Sequence, residues 1–162
     1  MSRLSPKIRI SNFVIKIISS FFFIGYLPFI PGTFGSLAGL FLYFVFKDNY
    51  LFYILLLFVL MVTGFSLTGK AEEILGRKDA PCIVIDEVIG MLLALIFIPY
   101  EIKLLIIDFV LFRILDALKP YPSGMLQNLK GSLGIMSDDI IAGLYTNIIL
   151  QVVLRFASFK IS

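Results

Sequence analysis

Cys82-Ile83-Val84-Ile85-Asp86-Glu87-Val88-Ile89-Gly90-Met91 is an apolar run broken only by two adjacent acids, and no further charge appears before Pro99. A stretch of this length and character belongs in a bilayer, where an ionised pair is costly unless something binds it. The simplest partner for two carboxylates at a membrane boundary is a divalent cation. A solvated helix start accounts for them as well, because acids favour the positive end of the helix dipole. Gly90 stands one turn after Asp86 on the same face, where a missing side chain lets a neighbouring helix or head group come close.

The rest of the chain has the same character. Of 162 residues, 59% are hydrophobic and 15% charged, with a mean hydropathy of +1.00, against roughly half and a quarter in soluble domains. The length suits one membrane-embedded domain over residues 1–162. A spanning helix takes about 20 residues, so the expected fold is an all-α integral membrane helical bundle. It has about five crossing helices plus an N-terminal interfacial or half-inserted helix. The apolar crossing segments are residues 34–46, 51–67, 82–99, 102–118 and 140–159. Residues 13–30 carry Lys16, Ser19, Ser20 and Gly25 and run into Pro28 and Pro31, which suits a helix lying on the membrane as well as a span. Residues 70–80 are polar, and residues 119–137 form a loop bearing Gly, Pro and Ser. There is no internal repeat, low-complexity tract or secretory cleavage pattern.

With the first helix on the surface, one face collects Arg3, Lys7, Arg9, Lys16, Lys70, Arg77, Lys78, Lys119 and Lys130, and the other only Lys47, Lys103, Arg155 and Lys160. By the positive-inside rule the richer face is cytoplasmic. The same threading puts Gly32-Thr33, Asp86-Glu87, Arg113 with Asp116, and Asp138-Asp139 at the cytoplasmic ends of their helices. The net charge of +3 comes with no basic run, so nucleic acid is excluded as a partner.

Missing residue types narrow the chemistry. With no His, imidazole bases, phosphohistidine and HExxH-type zinc sites are all excluded. A single Cys82 excludes disulfides and Cys-cluster metal sites. A thiolate phosphatase needs Arg six positions after its Cys, where this chain has Val88. Carboxylate and hydroxyl chemistry remains.

Asp138 and Asp139 follow Ser137 and are expected to open the last helix, where Ser137 as a cap and two acids on the dipole are a sufficient structural explanation. Phe112-Arg113-Ile114-Leu115-Asp116-Ala117-Leu118-Lys119-Pro120 ends a helix before a Pro stop. Arg113 and Asp116 can pair with each other, or Arg113 and Lys119 can hold a phosphate, the first as a fork of donors and the second as a point charge. Pro31-Gly32-Thr33-Phe34-Gly35-Ser36 opens a helix with free N–H groups suited to an anion, or Thr33 is simply its N-cap. Asp108 lies in the middle of its apolar segment, protonated or facing the bundle interior.

Residues 31–37, 85–91, 112–122 and 134–143 together, in that order, closely resemble the phosphatidylglycerophosphatase A family. The resemblance implies an all-helical bundle around one central helix, and a Mg²⁺-dependent phosphatase that converts phosphatidylglycerophosphate to phosphatidylglycerol. It implies a bacterial-type inner membrane location, multi-pass, with the site facing the cytoplasm. Carried over by motif, Asp86, Glu87, Asp116, Asp138 and Asp139 are the catalytic acids. Asp86, Glu87, Asp138 and Asp139 are the metal ligands, and Thr33, Arg113 and Lys119 surround the phosphate. The sequence departs from the family pattern at Ser132, where a second glycine is usual, at Tyr121, where Trp is common, and at Leu27, where a small residue is frequent. Asp108 is not part of the pattern.

The expected mechanism is water attack on the phosphate at carboxylate-held Mg²⁺. The alternative from another class is a small transporter or channel using intramembrane acids, which predicts acids spread through the membrane; only Asp108 fits it. A phospholipid-forming alcohol phosphotransferase is a second enzymatic rival, and its motif of spaced aspartates is absent.

Overall fold

The computed structural model describes residues 6–161, with side chains described over residues 11–156. Arg3 lies outside the described residues, as do the side chains of Lys7, Arg9 and Lys160 in the charge asymmetry above. Among the described residues every regular element is helical. Helix α1 spans Pro6–Ser19, and a 3-10 turn, Ile24–Tyr26, leads to α2 (Pro31–Phe46). Then come α3 (Tyr50–Leu75), α4 (Ile85–Ala94), α5 (Ile102–Leu118), the short α6 (Ser123–Leu126) and α7 (Ser132–Ile161).

Helix α4 is the core of the bundle. It is apolar on nearly every face, and a helix of that kind has to be buried. All its residues but Glu87 are buried, enclosed by α2, α3, α5 and α7. Its crossing with α7 is set by two glycines. A Cβ on Gly90 would stand 2.7 Å from the Asp139 carbonyl and 2.8 Å from the Phe112 ring, and one on Gly143 would stand 3.2 Å from the Gly90 Cα. Backbones this close gain packing where burial from water contributes little.

The outer faces of the surrounding helices are apolar: Phe41, Phe58, Ile106, Ile107, Ile148 and Val152 are all exposed. Two helices are long and apolar enough to cross a membrane, Tyr50–Leu75 with mean hydropathy 2.3 and Ser132–Phe156 with 1.4, while α2 is apolar but shorter.

Several boundaries differ from the sequence expectation. Helix α3 runs past residue 67 to Leu75, because Lys70-Ala71-Glu72-Glu73 are good helix formers whatever their polarity. It stops at Gly76, whose N–H returns to the Glu72 carbonyl at 3.0 Å. Helix α7 starts at Ser132, so Ser137 is not its cap; the Ser137 hydroxyl donates to the Leu133 carbonyl at 2.5 Å. Asp138 and Asp139 stand inside the helix, which removes capping as their explanation. Thr33 is not an N-cap either, since Ile30 holds that position ahead of Pro31. The segment 82–99 is helical only over Ile85–Ala94, about 15 Å at 1.5 Å per residue.

The carbonyls released where α4 ends are taken up by side chains. Tyr53 donates to Leu92, Asn147 to Ala94 and Ile96, both at 2.7 Å, and Tyr43 to Ile98 at 2.7 Å. Broken backbone is tolerated inside an apolar bundle only with such partners.

Candidate active site

The starts of α2 and α4, the end of α5 and the second turn of α7 meet at one end of the bundle. From α2, Gly32 faces α4 and α5. A Cβ there would overlap the tip of the Glu87 carboxylate, which would have to move aside, and would touch Arg113 Nη2 at 3.4 Å, so glycine lets both charged groups rest against the helix start. Ser36, one turn on and fully buried, accepts from Arg113 Nη1 at 3.4 Å and donates to the Gly32 carbonyl at 2.9 Å.

Helix α4 brings Asp86 and Glu87 in its first turn, with Asp86 Oδ1 accepting the Glu87 N–H at 3.1 Å. Helix α5 supplies Arg113, paired with Asp116 at 2.7 Å, and the residue that caps its end, Lys119, is paired with Asp138 of α7 at 2.5 Å. Asp139 lies within electrostatic reach of Glu87, Asp116, Asp138 and Arg113, and also of Asp86. All five expected acids and both expected cations therefore converge. Thr33 stands beside Gly32 in the first turn of α2 and is partly exposed; its hydroxyl makes no hydrogen bond to the cluster among the described residues. Asp108 is about 12 Å along α5 from Asp116 at 1.5 Å per residue and stays outside.

Asp86, Asp138 and Asp139 are 3, 5 and 4% exposed, so these acids are held out of bulk water. Ion pairing does not saturate the cluster. Glu87 Oε2, Asp138 Oδ1 and Asp139 Oδ1 are buried with no partner among the described residues, a costly arrangement for carboxylates unless a ligand completes them. Among the described residues no three acidic side chains converge tightly enough to form a ready ion cage. Mg²⁺ commonly takes only one or two protein carboxylates and fills its remaining positions with water and phosphate. An all-oxygen donor set with orphaned carboxylate oxygens fits that hard cation.

Two members of the site were not read from the sequence. Ser36 was visible only as a hydroxyl in a glycine-bearing helix start, and its pairing with Arg113 spans 77 positions. Asp79 lies in the loop before α4, exposed, with a left-handed φ of 47°. Partial removal from water and then Asp138 raise its carboxyl above the usual range, against Lys119, Lys78 and Arg77. The available signal was an acid in the polar loop leading into Asp86. For Lys119, loss of water lowers the ammonium pKa, but the bond to Asp138 with the charges of Asp116 and Asp139 outweighs it, and the net shift is upward. Lys119 is thus charged throughout the physiological range.

Helices and carboxylates arranged in this way define an all-α protein with an acidic, partly cationic site at one end of an apolar bundle. The chain belongs to the phosphatidylglycerophosphatase A family, whose model matches residues 17–154, most of its length. Phosphatidylglycerophosphatase A of Escherichia coli is 38% identical over 74% of this chain and 71% of its own length. The Haemophilus influenzae protein of the same name is 35% identical over 74% of this chain and 76% of its own. A Bacteroides thetaiotaomicron protein, named provisionally as a phosphatidylinositol-3-phosphatase, is 33% identical over 87% of this chain and 94% of its own. No solved structure matches the chain.

Proposed function

We propose that the protein is a lipid phosphatase that hydrolyses the terminal phosphate of phosphatidylglycerophosphate, giving phosphatidylglycerol and inorganic phosphate. The observation that carries this reading is the convergence of Asp86, Glu87, Asp116, Asp138 and Asp139 with Arg113 and Lys119 at one end of the bundle, several carboxylate oxygens having no partner. Family membership and the names of the enterobacterial and Haemophilus relatives support the substrate. The bundle is a multi-pass inner-membrane protein of about five crossings, with the site at the cytoplasmic surface.

Glu87, Asp138 and Asp139, with Asp86 beside them, are the residues that would hold Mg²⁺. When bound, the ion supplies polarisation of the phosphoryl oxygens. Arg113 and Lys119 turn from Asp116 and Asp138 toward the incoming phosphate and offset the charge that develops on it during reaction. A carboxylate not engaged by the ion accepts the proton of the attacking water. Acyl chains stay against the apolar flanks of the bundle, so only the head group reaches the acids.

The test is phosphate release by purified protein from phosphatidylglycerophosphate, phosphatidylinositol 3-phosphate, phosphatidate and a soluble phosphate ester, with and without Mg²⁺. Phosphatidylglycerophosphate is expected to be the best substrate. Preference for phosphatidylinositol 3-phosphate would favour the second reading, which rests on the Bacteroides relative. Full turnover in strong chelator, with no metal bound, would remove the ion from the mechanism.

A further inference from the structure

Asp108 is a buried acid that the acidic site does not use. It is wholly buried, and both its carboxylate oxygens lack a partner among the described residues. No described basic side chain pairs with it.

Its level in the bundle follows from helix register. Helices α4 and α5 are antiparallel neighbours, and Gly90 packs on Phe112. Four residues on along α4 and four back along α5, Ala94 and Asp108 stand at about the same level. Asp108 is therefore level with the carbonyl end of α4, which carries the negative pole of its helix. Tyr43 and Tyr53, which donate to the Ile98 and Leu92 carbonyls there, both lie within electrostatic reach of Asp108. An orphaned carboxylate and the negative end of a broken helix thus share one apolar layer, and each makes the other more expensive. At the end of the bundle opposite the acidic site, a cavity of about 280 Å³ is lined by Tyr43, Tyr53, Leu95 and Ile98 together with Lys47 and Asp48; Asp108 is not in its wall, and Tyr43 and Tyr53 are the residues that the cavity and the surroundings of Asp108 share.

We propose that Asp108 and the carbonyl end of α4 form a binding site for one alkali-metal cation, entered through this aromatic-lined cavity. The donors are all hard oxygens: a carboxylate, phenolic oxygens, and carbonyls that keep a second lone pair after accepting one hydrogen bond. One carboxylate balances one monovalent charge, whereas a divalent ion would leave an uncompensated positive charge in the apolar layer. Carbonyl ends of interrupted helices coordinate small cations inside other membrane bundles in the same way. The site is independent of the phosphatase reading and is tested without substrate.

The experiment is thermal unfolding of the full chain in detergent, in Li⁺, Na⁺, K⁺ or N-methylglucamine chloride at constant ionic strength, for the wild type and Asp108→Asn. At least one alkali ion is expected to raise the wild-type midpoint saturably over N-methylglucamine, and the shift is expected to vanish in Asp108→Asn. A wild-type midpoint that is the same in all four salts overturns the proposal, as does an equal shift in the variant. A midpoint that follows pH but no alkali ion means that Asp108 holds only a proton, which also overturns it. Should Asp108→Asn not fold, equilibrium dialysis of the wild type with the effective ion decides: one bound ion per chain, not displaced by Mg²⁺, supports the site. No bound ion, or one that Mg²⁺ displaces and that therefore sat at the acidic cluster, overturns it.

Discussion

A side chain at Gly32 would push the tip of the Glu87 carboxylate out of its place beside Arg113. Gly32→Ala should fold and yet lose turnover, up to about 100-fold, the scale of displacing a reacting group by an ångström. Turnover per folded molecule, set beside the thermal midpoint, checks this. Ser36→Ala removes a hydroxyl that Arg113 reaches only through a long bond of 3.4 Å, so kcat/KM should fall by only about two- to tenfold. Ser36→Thr, which keeps the hydroxyl, should restore part of that loss if the added methyl is accommodated. Asp139→Asn keeps shape and removes charge, and a fall in kcat of about 100-fold or more is expected. The acids and cations of this site were legible in the sequence because charge is conspicuous in an apolar chain. Ser36 and Asp79 were not, since a serine in a glycine-bearing helix start and an acid in a polar loop look ordinary until folding brings them to Arg113 and Asp138.

Helix α5 occupies the expected residues 102–118 because Glu101 and the Lys119-Pro120 pair bracket its apolar run. Helix α4 does not fill its apolar run, and hydropathy alone had no means of showing this. What stops it at Ala94 is a set of donors from distant helices, Tyr53, Asn147 and Tyr43, which satisfy carbonyls that a longer helix would have used itself. Asn147→Leu should leave the Ala94 carbonyl unpaired in an apolar layer, at a cost of about 1–3 kcal/mol. A lower unfolding midpoint in detergent, with faster proteolysis of the 95–101 connection, is the expected reading; an unchanged midpoint would show that other donors suffice. Helix α7 taught the opposite lesson. Its true start at Ser132 was hidden because Gly131 and Gly134 read as loop, although only Gly131 adopts a loop conformation, with φ 65°.

The two ends of the molecule differ in chemistry and, on the proposed topology, in compartment. Lys78 and Lys130 lie at the acidic end, and Asp48 lies at the α2 to α3 turn at the other. In a Cys82→Ser background, Lys78→Cys and Lys130→Cys should label from the cytoplasmic side only, and Asp48→Cys from the opposite side. Labelling of positions 78 and 48 from the same side would break the proposed topology. The all-α class and the central helix could be anticipated from apolar patterning and family likeness, while the depth of each helix depended on caps no pattern displays. The outward-facing apolar side chains of α2, α3, α5 and α7 carry one more consequence. On the proposed membrane placement, an enzyme wrapped in acyl chains meets its substrate by lateral diffusion in two dimensions, so its rate answers to mole fraction in the leaflet. Diluting phosphatidylglycerophosphate with inert phospholipid, at fixed bulk concentration of both substrate and protein, should slow turnover in proportion once the surface is no longer saturated.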